Sequence, residues 1–190
     1  CQKFIFMPLQ FSDLGIHKEL QKRLIDLEIS VPTEVQHKVI PFILEKKKDL
    51  VALAKTGTGK TAAFGLPLLQ LINPEENSVQ AVIMAPTREL GQQIYNNMVL
   101  FASYNPEIAV VGVFGGATIK SQVDILKRTT HIVVATPGRL IDLIERKAID
   151  ITNIKYFVLD EADEMISALS TEVETIFKEI PKLTRTLLFT

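Results

Sequence analysis

Ala54-Lys55-Thr56-Gly57-Thr58-Gly59-Lys60-Thr61 follows the apolar run Leu50-Val51-Ala52-Leu53 and opens a segment with helical spacing from Lys60. A strand, a glycine-containing turn and a helix in that order aim successive backbone N–H groups into one concavity, where the helix dipole favours negative charge. The stretch therefore reads as a cradle for the phosphates of a nucleotide. Lys60 would set a point charge against the β- and γ-phosphates, and the Thr61 hydroxyl would ligate Mg2+. The common pattern is G-x-x-x-x-G-K-[ST]. Ala54 stands where its first glycine would be, a change that costs little if φ is negative there. An ordinary glycine turn ahead of a helix is the competing reading of these eight residues.

On both sides of this turn, short apolar runs alternate with helical segments. Candidate strands are 50–54, 81–85, 109–114, 132–136, 156–160 and 186–190; candidate helices lie near 60–72, 89–104, 119–127, 138–146 and 172–179. Continuous Val/Ile/Leu runs mean strands buried on both faces, as in a parallel sheet, so the fold class is α/β: a doubly wound, mostly parallel sheet flanked by helices. Upstream, Ile16, Leu20, Leu24 and Leu27 repeat at helical spacing. A second helix opens at Val31-Pro32-Thr33-Glu34-Val35-Gln36, where Thr33 and Gln36 have the spacing of a capping box. The Gln36 amide, carrying both a donor and an acceptor, also suits the edge of an adenine. Pro41 and Pro67 fall inside helical segments and should kink or interrupt them.

The bulk numbers limit the alternatives. At 190 residues the chain suits one domain that buries about 70% of its unfolded surface without a disulfide scaffold. Cys1 is the only cysteine, which fits a reducing cytoplasm. His17, His37 and His131 are far apart in sequence and lack cysteine neighbours, so they give no zinc pattern. A net charge of −1 provides no whole-chain field for nucleic acid, and any such site must be local. Lys46-Lys47-Lys48 reads as a solvated loop. No apolar run approaches the roughly 20 residues that span a bilayer, and the N-terminus has no signal-peptide pattern. The expectation is a soluble, cytoplasmic protein, monomeric in isolation and without a membrane partner. Residues 1–10 form a lead, of which 1–6, ahead of Met7-Pro8, read as upstream or appended sequence.

In doubly wound sheets ligands gather beyond the carboxyl ends of the strands. Pro86-Thr87-Arg88-Glu89-Leu90 follows the second candidate strand, Gly115-Gly116 the third and Thr136-Pro137-Gly138-Arg139 the fourth. Thr then Pro is also a plain helix start. The added reading is that helix N-termini with Thr and Arg beside them bind phosphates, and paired glycines admit a sugar-phosphate backbone. Three such ends on one sheet edge would track a single nucleic-acid strand. Tyr156-Phe157-Val158-Leu159 leads into Asp160-Glu161-Ala162-Asp163. An acid ending a buried strand beside the P-loop strand suits Mg2+ opposite Thr61, making Asp160 the second metal residue. Glu161 would orient or deprotonate the water attacking the γ-phosphate. Capping of a following helix explains Asp163 or Glu164 equally well.

Taken in order, these motifs resemble the first RecA-like domain of a DEAD-box RNA helicase, over residues 11–190. The resemblance implies ATP and Mg2+ as ligands, a second RecA-like domain outside this chain and coupling of ATP hydrolysis to local RNA strand separation. It assigns Phe11 to stacking on adenine. Thr33 and Gln36 fall to the family's glutamine motif, Ala54 to Thr61 to its A-x-T-G-x-G-K-T loop, and Lys60, Asp160 and Glu161 to catalysis. Single-stranded RNA backbone falls to Pro86, Thr87, Arg88, Gly115, Gly116, Thr136, Pro137, Gly138 and Arg139, and coupling between motifs to Asp163. Many members have Gln at Lys55 and Gly-Phe at Leu169-Ser170. The family's Ser-Ala-Thr motif would begin at Thr190. An ATP-gated RNA clamp would use the same residues, and a DNA-directed translocase is the alternative within the superfamily.

Overall fold

In the computed structural model, which describes residues 9–190, the apolar runs form one six-stranded sheet with all pairs parallel. Its strands are β1 (Leu50–Ala52), β2 (Ala81–Met84), β3 (Val110–Val113), β4 (Ile132–Ala135), β5 (Tyr156–Asp160) and β6 (Arg185–Phe189), in the order β1-β6-β5-β2-β4-β3. The helices are α1 (Lys18–Asp26), α2 (Glu34–Glu45), α3 (Lys60–Leu71), α4 (Arg88–Ala102), α5 (Ile119–Leu126), α6 (Pro137–Glu145), α7 (Ala162–Ala168) and α8 (Ser170–Lys178). Cys1, Met7-Pro8 and the expectations attached to them lie outside the described residues.

Alternation along each strand divides the core in two. Ala81 and Ile83 of β2 join Ile132, Val134, Val158 and Leu187 under α1 to α4. Val82 and Met84 join Val133, Ala135, Phe157 and Leu159 beneath α6 to α8. Burial on both faces holds for β2 and β4, which lie inside the sheet. It fails for β1, an edge strand paired only with β6: Val51 is 65% exposed and Leu53, just beyond it, 81%.

Neither proline interrupts its helix. Pro41 lies within α2 and Pro67 within α3. Each removes one i→i−4 bond, but Ile40 and Ile43 of α2 and Leu66, Leu68 and Leu69 of α3 are fully or almost fully buried. Burial at about 1.5–3 kcal/mol per large side chain outweighs the roughly 3 kcal/mol cost of an interior proline. After the Asp-Glu-Ala-Asp stretch the candidate range 172–179 covers one helix, whereas the chain forms two. There α7 and α8 break at Leu169, whose side chain packs against the second core.

At the amino ends of the strands, His131 is wholly buried, and its Nδ1 accepts the N–H of Ala109 at 3.0 Å. The proton therefore sits on Nε2, which has no hydrogen-bond partner among the described residues. Burial holds the imidazole pKa below its ordinary value, against the opposing pull of the Pro74 carbonyl and the Glu76 carboxylate. With the folded pKa below the unfolded value of about 6.5, the unfolded chain binds more protons as pH falls. His131 thus costs no stability above about pH 6.5 and costs progressively more below it, by at most about 1.4 kcal/mol per pH unit. Urea unfolding at pH 7.5 and 5.5 should show this loss, and His131→Asn, which keeps an acceptor for Ala109, should flatten it. Parallel pH slopes for the two proteins would remove His131 as the cause.

Candidate active site

The loop between β1 and α3 is held at both ends. The Ala54 N–H donates to the Thr190 carbonyl at 2.8 Å, and the Thr190 N–H donates to Ala52 at 3.1 Å, tying the loop to the end of β6. Inside the turn, the Thr58 hydroxyl donates to the Lys55 carbonyl at 2.7 Å. Gly57 and Gly59 have φ of +82° and +88°, the left-handed region that L side chains rarely adopt. Gly59 is constrained twice, because a Cβ there would collide with the Gln36 side chain.

Gln36 does more than cap a helix. Its N–H donates to the Thr33 hydroxyl at 3.4 Å and its Oε1 accepts from the Thr33 N–H at 2.9 Å, so the capping box is present. Its Nε2 also donates to the Gly59 carbonyl at 3.1 Å, linking the start of α2 to the phosphate loop. One amide hydrogen and one carbonyl lone pair remain for another partner.

Lys60 opens α3 with 6% exposure, its Nζ 2.8 Å from Glu161 Oε1 and 3.5 Å from Asp160 Oδ1. Asp160 is 2% exposed at the end of β5. Burial pushes its carboxyl pKa up; the Lys60 ammonium opposes that shift and the Glu161 carboxylate adds to it. Glu161 occupies the left-handed region at φ +53°, between β5 and α7. Asp160 does not adjoin the P-loop strand, because β6 lies between them. Asp160 and Ala52 both pair with Phe189, so the acid stands two strand spacings, roughly 10 Å, from the strand that feeds the loop. The Lys60 side chain spans that gap. Asp163 sits in the first turn of α7, its carboxyl held below the ordinary range chiefly by the Thr190 hydroxyl at the end of β6.

A cavity of about 610 Å3 has Gln36, Thr56, Gly57, Gly59, Lys60, Thr61, Asp160 and Glu161 in its wall. Leu27 and Ile29 also line it. They were missed as site residues; the signal available was an apolar pair just before Ser30-Val31-Pro32, with Ile29 seven positions ahead of Gln36. The Ile29 N–H donates to Leu24 at 2.8 Å and Glu28 has φ +60°, which turns the chain off the end of α1. Phe11, expected to stack on a base, is only 4% exposed within the first core and does not line the cavity. Its ring offers no free face, and the apolar wall comes from Leu27 and Ile29 instead. A second cavity of about 650 Å3, between α2 and β1, meets the loop at Ala54, Lys55 and Thr58 but includes neither Gln36 nor the acids. Of the two, the first is the one that gathers Gln36, Lys60, Asp160 and Glu161.

The three other clusters lie side by side, because β2, β4 and β3 are consecutive in the sheet and run parallel. Pro86 precedes Thr87, which caps α4 by accepting the Leu90 N–H at 3.3 Å. The Arg88 guanidinium lies over Gly116 (φ +97°), where any Cβ would collide with it. Thr136 is the N-cap position of α6 with Pro137 in its first turn, yet its side chain makes no capping bond, which leaves the hydroxyl available. Gly115 and Gly138 would each admit a Cβ with nothing within 4 Å, so neighbouring packing requires neither. Arg139 donates from Nη1 to the Ala117 carbonyl at 3.1 Å and to Gln122 Oε1 at 2.8 Å. The arrangement joins an anion cradle with two acids at one end of the sheet edge to a row of helix starts, hydroxyls and arginines at the other.

The family profile described as "DEAD/DEAH box helicase" matches residues 33–190. The chain is 43% identical over 181 residues to the ATP-dependent RNA helicase CshA of Listeria monocytogenes, covering 95% of this chain and 34% of that protein. It is also 43% identical to the RNA helicase CrhR of Synechocystis, over 94% of this chain and 36% of that one. Among solved structures, a DEAD box protein from Methanococcus jannaschii superposes with a TM-score of 0.88 at 37% identity, over 95% of this chain and 49% of that chain. S. cerevisiae Dbp5 bound to RNA and ADP BeF3 gives 0.85 at 32% identity, over 95% and 46%. The chain spans about a third of the length of the curated relatives it matches.

Proposed function

From the premise that this chain belongs to the DEAD/DEAH box helicase family, we propose that it is the ATP-binding domain of an ATP-dependent RNA helicase, and that a second RecA-like domain lies in the part of the protein beyond it. The observation that carries the reading is the single cavity in which Gln36, the phosphate loop and the Asp160-Glu161 pair meet. Residues 11–190 make the first domain, and a cytoplasmic location belongs to the same proposal.

ATP enters with its base between Gln36 and the aliphatic wall of Leu27 and Ile29, and with its phosphates over Thr56 to Thr61. Gln36 has an acceptor and a donor left for an adenine edge. Lys60 leaves Glu161 for the β- and γ-phosphates. The hard oxygens of Thr61 and Asp160 suit Mg2+, and a cation beside a buried carboxylate relieves the cost that pushes Asp160 up. Bound there, Mg2+ would neutralise phosphate charge. Glu161, freed of Lys60, orients or deprotonates the attacking water. Pro86 to Arg88, Gly115-Gly116 and Thr136 to Arg139 hold the backbone of one RNA strand, Asp163 reports on the ATP site, and the second domain completes hydrolysis and strand separation.

Calorimetric titration with Mg·ADP and Mg·GDP tests the base site. ADP should bind more tightly by about tenfold, one good bidentate pair being worth roughly 1–3 kcal/mol of discrimination. Gln36→Ala should erase that preference. Equal binding of the two nucleotides by the unaltered protein would leave Gln36 as a helix cap and loop brace only.

A further inference from the structure

Gln122 belongs to none of the strand-end clusters, yet its side chain, 3% exposed, is used at both ends of the amide. Nε2 donates at 2.9 Å to the carbonyl of Phe114, the residue just before Gly115-Gly116. Oε1 accepts at 2.8 Å from Nη1 of Arg139 in the first turn of α6. One side chain therefore joins the turn after β3 to the helix after β4, and Nη1 of the same arginine donates again to Ala117 within that turn.

We propose that Gln122 is a positioning residue for RNA-backbone binding, holding Arg139 and the Gly115-Gly116 turn as one preformed phosphate site. The inference rests on reading the β2-β4-β3 edge as an RNA surface. A guanidinium is a planar fork of five donors. With Nη1 turned inward, Nε and Nη2 have no hydrogen-bond partner among the described residues, and a plane fixed at one edge presents the other at a set angle. Ordering a long side chain before the ligand arrives removes that cost from binding.

The residue type and its mounting suit this task. A carboxylate cannot donate to Phe114 and an ammonium cannot accept from Arg139, whereas an amide does both. The helix beneath is fixed: Thr118 caps α5 by accepting the Ser121 N–H at 3.2 Å, and Ile119, Val123 and Leu126 pack on the second core. Arg88 leans over Gly116, so the turn is gripped by Arg88 and by Gln122.

The test uses the full-length protein, a fluorescently labelled single-stranded uridine decamer, a non-hydrolysable Mg·ATP analogue and a salt series. Gln122→Met should weaken RNA binding by about tenfold while leaving Mg·ADP affinity unchanged. The slope of log K against log salt should also stay unchanged, because no phosphate contact is deleted. Arg139→Ala should lose affinity and flatten that slope by about one. Gln122→Asn, too short to reach both partners, should behave like Gln122→Met and replaces it if the methionine variant does not fold. RNA affinity within twofold of the unaltered protein, or a parallel loss of Mg·ADP affinity, would overturn the positioning role. Unchanged affinity and slope in Arg139→Ala would instead overturn the reading of the edge itself.

Discussion

Glu161→Gln in the full-length protein should lower RNA-stimulated ATP turnover by about 10²–10⁴-fold, the range associated with loss of a positioned general base. Nucleotide affinity should hold or tighten slightly. Glu161 is the nearer of the two carboxylates gripping Lys60, at 2.8 Å against 3.5 Å for Asp160. A neutral amide there relaxes the competition between acid and phosphate for the ammonium, so binding does not suffer. Turnover does, because an amide cannot take a proton from water. Asp160 is left unaltered, which separates this variant from Asp160→Asn, where the residue proposed to hold Mg2+ changes too. Single-turnover phosphate release, read beside Mg·ADP calorimetry, resolves the two effects. A turnover loss below threefold would assign water activation to another group.

The backbone conformation at Glu161 was not legible in the sequence. It sits at φ +53°, a region that costs a non-glycine residue of order 1–3 kcal/mol. Nothing in Asp-Glu-Ala-Asp as a string announces this. It follows from ending β5 at a buried acid and starting α7 two residues later, with Glu161 alone between them, which swings the glutamate toward Lys60.

Local signals were read well where one interaction dominates. The glycine turn ahead of α3, the Thr33-Gln36 box and the ends of β5 were legible because each is set by neighbours within a few residues. Strand order was not legible, since hydrophobic runs do not say which strand inserts between two others, and Asp160 was therefore set one strand too close to the loop. Phe11 was assigned by the family resemblance alone, and nothing in its neighbours along the chain announces that packing in the first core buries its ring. Leu27 and Ile29 were overlooked because leucine and isoleucine after a helix look like ordinary core. The double use of Gln36, as box and as brace on Gly59, depends on a contact 23 residues away in sequence.

The 190-residue chain alone should hydrolyse ATP some 10³–10⁵-fold more slowly than the full-length protein with RNA, a difference of about 4–7 kcal/mol in barrier. Lys60 is the only lysine or arginine among the described residues lining the cavity, and two carboxylates face it. Transfer of a γ-phosphoryl group to water spreads negative charge over its oxygens, and catalysis is almost entirely positioning and neutralisation of that charge. One ammonium is the only cationic side chain there to join the proposed Mg2+, which leaves that neutralisation incomplete. An arginine from the second domain proposed above would complete it. Phosphate release should therefore be close to background for the chain alone, while the same preparation binds Mg·ADP, which separates a folded but slow domain from an unfolded one. Turnover near that of the whole protein would mean that the missing positive charge comes from within these 190 residues, and the proposed division of labour between two domains would fall.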